Sequence, residues 1–219
     1  MTPEVSGEPQ GGAPVKPVLL LASANQGKLR ELRTILHGLP VELVGLDEVG
    51  RGDPPEVEET GETFLANALL KARAYAAWSG LAAVADDSGL EVDALGGAPG
   101  VRSARYAGPG ATDQANLDKL LAELTGVPPE RRRARFRCVA ALHDPATGRE
   151  DHAEAAWEGR VLDAPRGSGG FGYDPVFLPD GWDRTSAEVD QPTKDAASHR
   201  GKAFRALRPA IEAWARNAS

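Results

Sequence analysis

This 219-residue chain has only one cysteine, and its formal net charge is negative. The single cysteine, Cys138, excludes an internal disulfide and an all-cysteine zinc site, and it fits a reducing cytoplasm. It lies in the strand-like run 136–142, so we expect a buried and unreactive thiol. The formal net charge of −7 argues against general nucleic-acid binding, which depends on neutralising many phosphates. One basic cluster, residues 131–137, departs from this balance and predicts a solvated turn or a subunit contact.

Long apolar runs and the familiar glycine fingerprints are also missing. The apolar run 18–22 is far too short to cross a bilayer and predicts a buried strand. Residues 1–16 have neither the basic nor the apolar part of a secretory signal, and their composition predicts a disordered tail. No P-loop sequence is present, and no G-x-G-x-x-G directly follows a predicted strand. We therefore expect a soluble cytoplasmic protein without nucleic-acid or membrane partners, in which residues 17–219 form a single domain.

The order of elements predicts an α/β protein with a mixed sheet, because strands and helices alternate early and strands pair later. The residues 86–89 are predicted as a turn between two short strands, and Pro209 is expected to bend the last helix. The predicted strands are 18–22, 41–46, 82–85, 90–92, 135–142 and 153–161, and the predicted helices are 28–36, 62–78, one capped by Thr112 that runs to 124, and one that begins near Ser198.

A polar segment follows the first predicted strand and precedes the first predicted helix. Hydroxyl, amide and lysine groups at such a place can bind phosphate oxygens, together with the free backbone N–H groups of the helix. The same residue types are also common in turns and helix caps, so this segment alone is a weak signal. It consists of Ser23, Ala24, Asn25, Gln26, Gly27 and Lys28.

Three carboxylates, Glu56, Glu58 and Glu59, precede the long helix that carries Lys71. Such a run is usually a solvated acidic loop, and glutamate is favourable near a helix N-terminus. The alternative is a magnesium site, because Mg²⁺ takes hard oxygen donors and commonly uses one or two carboxylates plus substrate phosphates.

The sequence Asp86-Asp87-Ser88-Gly89 follows an apolar strand and is the most suggestive of these clusters. Two adjacent carboxylates at a sheet edge repel each other, which is more easily explained by a bound cation than by a turn alone. A turn of the Asp-Ser-Gly type is the other interpretation.

A glycine-rich loop, residues 169–175, contains Phe171 as a single aromatic ring among glycines. Glycines let the backbone approach a ligand closely, and an exposed ring there can stack on a base. Downstream, Ser198 can cap a helix whose first turn carries His199 and Arg200, so donors converge where an anion or a carbonyl oxygen would fit. Either half alone is more often an ordinary turn or a capped helix.

Together these clusters predict a nucleoside triphosphate site. Carboxylates would bind a metal, lysines including Lys194 would bind phosphates or the base, and Phe171 would stack. Covalent catalysis lacks a candidate, since Cys138 is expected to be buried and no G-x-S-x-G serine is present. Metal-activated attack by water is the simpler chemistry.

The motifs resemble those of the noncanonical purine NTP pyrophosphatases, the inosine and xanthosine triphosphate pyrophosphatase family. Ala24 stands where that family commonly has a glycine, and the tail has no counterpart in its shorter members. The matching segments follow the family's order from Val18 to about Leu207: residues 23–31, 58–64, 67–72, 85–90, 96–100, 103–106, 169–175 and 198–200.

The resemblance implies an elongated two-lobed α/β fold around a mixed sheet, a cleft between the lobes, and a homodimer. It also implies Mg²⁺-dependent hydrolysis of ITP, dITP and XTP to the monophosphate and pyrophosphate, which would cleanse the nucleotide pool. The cofactor would be Mg²⁺, and the partners would be the purine nucleoside triphosphate and a second copy of the chain.

Site roles also come from the resemblance. The segment 23–28, chiefly Ser23, Asn25 and Lys28, would bind the triphosphate together with Lys71. Asp87 would be the catalytic carboxylate and a metal ligand, Glu59 the second metal ligand, and Ser88 a substrate contact. Glu58 and Asp86 rank behind Glu59 and Asp87 as metal ligands. The base pocket would consist of Phe171, Gly172, Tyr173, Asp174, Lys194, His199 and Arg200.

Donors from His199 and Arg200 would suit the C6 carbonyl of hypoxanthine and xanthine and would be left unpaired by the amino group of adenine. Two other interpretations stay open. The chain could cleave a different modified nucleotide, such as a pyrimidine triphosphate, or it could be a sensor that binds a nucleotide without turning it over.

Overall fold

The computed structural model of the protein describes residues 16–218. The tail predicted for residues 1–16 therefore lies outside the described residues, apart from Lys16. No helix in the described part of the chain is long and apolar enough to cross a membrane. The described elements are β1 Val18–Leu21, α1 Gln26–Ile35, β2 Glu42–Val44, α2 Phe64–Ser79, β3 Ala82–Val92, α3 Asp113–Glu123, β4 Arg133–His143, β5 Glu150–Val161, β6 Phe177–Pro179, α4 Gln191–Ala197 and α5 His199–Asn217.

The strands form one mixed sheet in the order β2-β1-β3-β4-β5-β6. Strand β1 is parallel to both β2 and β3, whereas β3, β4, β5 and β6 pair antiparallel. Parallel neighbours need a crossover, which α1 and α2 supply, while antiparallel β4 and β5 need only a short turn. The predicted α/β class with a mixed sheet is confirmed.

Two separate apolar cores lie along the long central strands β3 and β4, each of 11 residues. On one face of β3, Val84 packs in a core with α1 and α5, and Leu90 packs in another with α3 and β6. Asp86 and Ser88 lie between them on the same face, because residues two apart along a strand share a face. This polar interruption between the two cores is where a cleft can open.

The turn predicted at residues 86–89 is wrong, since residues 82–92 form one continuous strand. Every one of these positions except Ala82 is paired with β4, and Asp86 lies opposite Ala140. The glycine at position 89 is needed for close packing rather than for a turn. A Cβ atom at Gly89 would lie 2.3 Å from the carbonyl oxygen of Gly100.

Two predicted helix starts are confirmed by their caps. Thr112 Oγ1 accepts the Ala115 N–H at 3.2 Å, and Ser198 Oγ accepts the Gly201 N–H at 3.0 Å. Helix α5 continues through Pro209, and the predicted bend there stays a prediction. Two short elements, β6 and α4, carry too few residues for their periodicity to be recognised in the sequence.

The basic cluster that was predicted as a turn or contact lies mostly on β4. Arg133, Arg135 and Arg137 alternate along the strand and so point to one face. Their side chains are half-exposed and pair with carboxylates, which leaves little free positive charge on this face. Those partners are Asp180, Glu158, Asp93 and Glu154.

Candidate active site

The adjacent carboxylates Asp86 and Asp87 point to opposite faces of β3, because successive side chains alternate along a strand. Their even-numbered neighbour Val84 packs towards α1 and α5, and their odd-numbered neighbour Ala85 packs towards α2. The ladder with β1 ends at Val84, so at Asp86 and Asp87 strand β3 is paired with β4 alone among the described strands, and the predicted position next to a sheet edge is confirmed. The expected repulsion between the two carboxylates is reduced, because they lie on opposite faces and each has its own hydrogen-bonding partners.

Asp86 lies in a buried cationic environment. Its Oδ2 atom lies 3.2 Å from Lys28 Nζ and 3.3 Å from Arg200 Nε, and it accepts the Ser88 hydroxyl at 3.1 Å. Burial alone would raise the pKa of Asp86, but the charges of Lys28 and Arg200 outweigh burial and lower this pKa far below its usual range. Asp86 is thus a permanent anion that positions two cations, and this arrangement does not suit a proton acceptor.

Cys138 is buried beside Asp86, as predicted, with its sulfur 3.9 Å from Oδ2. Burial and the nearby negative charge of Asp86 raise the pKa of the thiol well above its usual value. A neutral thiol in this place is unreactive.

Arg200 is fixed by three acceptors on the Asp86 face of the sheet. Besides Asp86, its Nη1 donates to Glu31 Oε2 at 2.5 Å and its Nη2 donates to Ser88 Oγ at 3.0 Å. Glu31 is buried on α1, one turn after Lys28. Sequence reasoning assigned no role to Glu31, although its spacing from Lys28 was a usable signal that both face the same side of a helix.

Asp87 lies on the opposite face, where α2 covers the sheet. Lys71 Nζ lies 3.2 Å from Asp87 Oδ1 and 2.6 Å from Glu59 Oε1, so one ammonium group bridges two carboxylates. Asn67, one helical turn before Lys71, donates to Asp87 Oδ2 at 3.1 Å. The sequence analysis included residues 67–72 among the family's motifs but did not assign Asn67 to the site.

The electrostatics of this second group differ from those around Asp86. Burial raises the pKa of Asp87, and Lys71 only partly opposes this because Glu59 adds negative charge nearby. Burial also tends to raise the pKa of Glu59, but Lys71 and, less strongly, Lys28 bring it below its usual value. Lys71 keeps its charge, since its carboxylate neighbours outweigh burial and raise its pKa.

Glu59 and Asp87 are suited to bind a divalent cation. Both already contact the same positively charged atom, and carboxylate oxygens are the hard donors that Mg²⁺ prefers. No group of three or more His, Cys, Asp or Glu residues that could hold a metal occurs within residues 16–218. Mg²⁺ commonly uses one or two carboxylates together with water and substrate phosphates, which this pair of carboxylates fits. Glu58 is exposed beside this pair, and Asp86 lies on the other face of β3.

A cavity of about 180 Å³ opens on the Asp86 face. Residues with no role in the sequence-based site also form its walls: Gly89, Ser103, Ala104, Asp113, Asn116 and Phe136. The predicted residues that line it are Asn25, Lys28, Ser88, Phe171, Gly172, Tyr173, Asp174, Lys194, His199 and Arg200.

Phe171 is the aromatic wall of this cavity and is 37% exposed. Lys194 Nζ lies 4.8 Å and Arg200 Cζ 5.6 Å from the centre of its ring, which is within cation–π range. Asp174 Oδ2 accepts both the Phe171 N–H at 2.8 Å and Lys194 Nζ at 2.6 Å. A buried carboxylate thus fixes the ring and the ammonium relative to each other.

His199 lies at the bottom of the cavity, stacked on Phe136 with ring centres 4.8 Å apart. Burial, together with the positive charges of Arg200 and Lys194, lowers the pKa of His199 well below its usual value. The imidazole is therefore neutral, and its Nδ1 atom has no hydrogen-bond partner among residues 16–218.

Three predicted phosphate contacts lie apart from this cavity. Ser23, Ala24 and Gln26 line a separate depression together with Asp47 and Arg51. The side-chain oxygen of Asn25 is occupied as a helix cap, since it accepts the Lys28 N–H at 3.0 Å. Gly27 lies in the first turn of α1, beside that cap.

Tyr173, from the predicted base pocket, is buried, and its hydroxyl donates to the Ser103 carbonyl at 2.8 Å.

Comparison with known proteins gives a consistent set of relatives. A sequence model of the Ham1 family matches residues 19–210. The dITP/XTP pyrophosphatase of Streptomyces coelicolor is 54% identical over 195 residues, which is 88% of this chain and 96% of that protein. The dITP/XTP pyrophosphatase of Frankia alni is 56% identical over 196 residues, covering 86% and 94%.

Solved structures agree with these relatives. A HAM1 protein from Coxiella burnetii superposes with a TM-score of 0.80 at 42% identity, covering 89% of this chain and 98% of that one. The nucleoside-triphosphatase, dITP/XTP pyrophosphatase, of Mycobacterium abscessus superposes with a TM-score of 0.70 at 50% identity, covering 87% and 98%.

Proposed function

This chain belongs to the Ham1 family, and on that premise we propose that it hydrolyses ITP, dITP and XTP to the nucleoside monophosphate and pyrophosphate. The observation that carries this proposal is that two groups of functional residues lie on the two faces of the same strand, β3. A cavity walled by Phe171 lies on one face of β3, and the carboxylates Glu59 and Asp87, bridged by Lys71, lie on the other. The first group suits a base, and the second suits the hydrolysis of a phosphoanhydride.

Lys28 and Lys71 are the residues placed to bind the phosphates. Lys28 lines the cavity from the first turns of α1, and its charge is also felt by Glu59 on the other side of the strand. Lys71 lies beside Asp87 and Glu59. A chain of phosphates that runs from the cavity towards Asp87 would therefore meet two ammonium groups.

Asp87 is the residue that would accept a proton from the attacking water. Its raised pKa makes it a better base than an ordinary carboxylate, and Asn67 and Lys71 fix its orientation. A divalent cation, which we propose is Mg²⁺ bound by Glu59 and Asp87, would supply positive charge at the phosphate oxygens and make water more acidic. Leaving pyrophosphate would carry its negative charge beside Lys71 or Lys28.

Recognition of the base would combine stacking with hydrogen-bond donors. The purine would stack on Phe171, and Lys194 and Arg200 both lie at that ring. A guanidinium has five N–H groups, of which three are occupied by Asp86, Glu31 and Ser88, so donors remain for a C6 carbonyl. Adenine offers an amino group there, which would leave buried donors unpaired and can account for a discrimination of about 10⁴.

Pyrophosphate release from ITP, dITP, XTP, GTP and ATP, with and without added Mg²⁺, tests this proposal. We expect efficient release from the first three substrates only, and loss of release when the metal is chelated. Binding of ITP without any release of pyrophosphate would instead favour a nucleotide sensor. Preference for a modified pyrimidine triphosphate would contradict the base assignment while keeping the reaction.

We also propose that residues 17–219 act as one domain, as a homodimer, and in the cytoplasm. The length and composition of the chain and its resemblance to the family support this proposal. Sedimentation equilibrium of the full chain at micromolar concentration would test the dimer, and a monomeric mass at full activity would contradict it.

A further inference from the structure

One short segment, residues 103–113, touches both halves of the proposed site, and we call it the clamp segment. It joins the 3₁₀ helix Gly100–Arg105 to α3. At its first end, Arg105 Nη1 lies 3.3 Å from Glu59 Oε2, and Arg105 Nη2 donates to the Glu59 backbone carbonyl at 3.0 Å. One guanidinium therefore restrains both the carboxylate and the backbone of Glu59.

Both ends of the clamp segment contact the aromatic loop, residues 169–175. Asp113 Oδ2 accepts the Gly172 N–H at 2.8 Å, and the Tyr173 hydroxyl donates to the Ser103 carbonyl at 2.8 Å. The N–H of Phe171, one residue earlier, is bound by Asp174. Two consecutive amides of the loop are thus held by carboxylates from two different parts of the chain.

The clamp segment is itself firmly attached. Ser103 Oγ accepts the Leu90 N–H of β3 at 2.9 Å. Asn116, buried on α3, accepts the Ala107 N–H at 2.7 Å and donates to the Ala104 carbonyl at 3.1 Å. These bonds fix the segment to the central strand and to a helix, so it can hold a loop in place rather than move with it.

Glu59 needs such a restraint because it lies outside any helix or strand, in the irregular stretch between residues 49 and 63. Gly172 needs one because its φ of +61° lies in the left-handed region, where a glycine backbone has many alternatives. Both are places where the loop alone would not set the position of a functional side chain.

We propose that Arg105 and Asp113 are positioning residues, through which one rigid segment sets both the Glu59 carboxylate and the Phe171 wall. This inference rests on the proposed function for its kinetic consequences. Loss of the Asp113 contact would let the loop that carries Phe171 move, which would weaken substrate binding. Loss of the Arg105 contact would free Glu59, which affects the chemical step and metal binding.

The first set of variants is Asp113→Ala, Asp113→Asn and the control Asp118→Ala, an equally exposed carboxylate on the same helix that accepts from Gln114 instead of from the loop. Asp113→Ala should raise KM for ITP about tenfold, the size of one charge-assisted hydrogen bond, with kcat changed less than about twofold. Asp113→Asn keeps an oxygen that can accept the Gly172 N–H and should recover most of the KM. The control should behave as the unmodified protein.

The Arg105 arm compares Arg105→Ala and Arg105→Lys with the exposed control Arg102→Ala. Arg105→Ala should lower kcat about tenfold and raise the Mg²⁺ concentration for half-maximal rate, because one charge-assisted contact to Glu59 is lost. Arg105→Lys should recover little, since an ammonium cannot contact the carboxylate and the carbonyl in the same way as a planar guanidinium.

Hydrogen–deuterium exchange of the full-length proteins, without nucleotide or metal, provides a readout that does not depend on activity. Asp113→Ala should speed exchange in peptides that cover residues 169–173, and Arg105→Ala should do so in residues 58–61. Melting temperatures within about 4 °C of the unmodified protein would show that the fold is intact. If the unmodified protein hydrolyses no purine triphosphate, the proposed function is wrong. The hydrogen–deuterium exchange rates would still show whether Arg105 and Asp113 hold their loops in place.

Two results would overturn the inference. Unchanged exchange at residues 169–173 in Asp113→Ala would mean that the Gly172 contact does not hold the loop. A rise in KM for Arg105→Ala with unchanged exchange at residues 58–61 would make Arg105 a direct substrate contact instead of a positioning residue.

Discussion

On the two faces of strand β3, chemically identical aspartate side chains have pKa values that are shifted in opposite directions. On one face, Asp86 is buried with two cations, Lys28 and Arg200, and its pKa is lowered. On the other face, Asp87 contacts one cation, Lys71, which also contacts Glu59, and the pKa of Asp87 is raised. The number of cations that contact each carboxylate directly, two for Asp86 and one for Asp87, separates the two.

A simple estimate shows why the number of contacting cations changes the direction of the pKa shift. One opposite charge at about 4 Å stabilises an ion by about 4 kcal/mol at an effective dielectric constant of 20. Two cations near Asp86 add, whereas the negative charge of Glu59 cancels part of what Lys71 contributes to Asp87. The difference teaches that Asp86 is a structural counterion and that Asp87 is the one able to exchange a proton.

The largest expected effect is on stability, from Asp86→Asn. This change leaves the buried Arg200 and the partly buried Lys28 without their shared anion, and it should lower the free energy of unfolding by about 3–5 kcal/mol. Urea denaturation at pH 7 measures it, with Asp87→Asn as the matched control. If both variants lose the same stability, the two faces do not differ as described.

The next effect is on catalysis, from Asp87→Asn. The amide keeps the shape of the side chain but can neither take a proton nor supply charge to a metal, so kcat should fall by about 10² or more. Circular dichroism should be unchanged, and the exposed Glu58→Gln is the control. Near-normal turnover by Asp87→Asn would remove this residue from the mechanism.

A smaller effect is expected from Phe171→Ala on the Asp86 face. Loss of stacking, worth about 1–3 kcal/mol, should raise KM by about tenfold or more for ITP, XTP and ATP alike, because every base has a π-face. Phe171→Trp keeps a ring and should restore binding. A loss confined to 6-oxo purines would show that the ring takes part in base selection.

The smallest effect is on the pH dependence of stability, measured without divalent metal. The lowered pKa of Asp86 means that its stabilisation is present above the unfolded value of about 3.9 and is lost as the pH falls through the folded value. The raised pKa of Asp87 means the reverse: its ionisation destabilises the fold at neutral pH, and acid relieves this.

Urea denaturation of both variants at pH 7 and pH 4 should therefore give gaps of opposite sign relative to the unmodified protein. Asp86→Asn should be less stable than the unmodified protein at both pH values. Asp87→Asn should be as stable as the unmodified protein or more stable at pH 7, and this difference should become smaller towards pH 4. Gaps of the same sign would contradict the pKa directions on the two faces.

Much of the architecture could be predicted because it depends on local patterns. The apolar stripe of α2 and the caps at Thr112 and Ser198 are short-range features, and the alternation of elements gave the α/β class. The continuous strand through residues 86–89 could not be predicted, because Asp, Ser and Gly favour turns by local propensity. Only pairing with β4 overrides that propensity.

The candidate site shows the same limit. Phe171, Lys194 and Arg200 were recognised as residue types suited to a base, and the structure brings them together at one ring. Glu31 and Asp113 were not recognised, because their partners lie 169 and 59 residues away in the chain. The spacing of Glu31 from Lys28 predicts a shared helix face, but sequence spacing does not predict contacts between residues so far apart in the chain.

By itself, the sequence determined which residue types were available and which elements they form, since periodicity, capping and glycine-rich turns act over a few residues. The family resemblance also rests on ordered local motifs. That resemblance ranked Asp87 above Asp86, but the tertiary structure alone decided that the pKa values of the two carboxylates shift in opposite directions. The pKa of a carboxylate depends on charges within a few ångströms, and those charges come from α1, α2 and α5, which meet β3 only when the chain is folded.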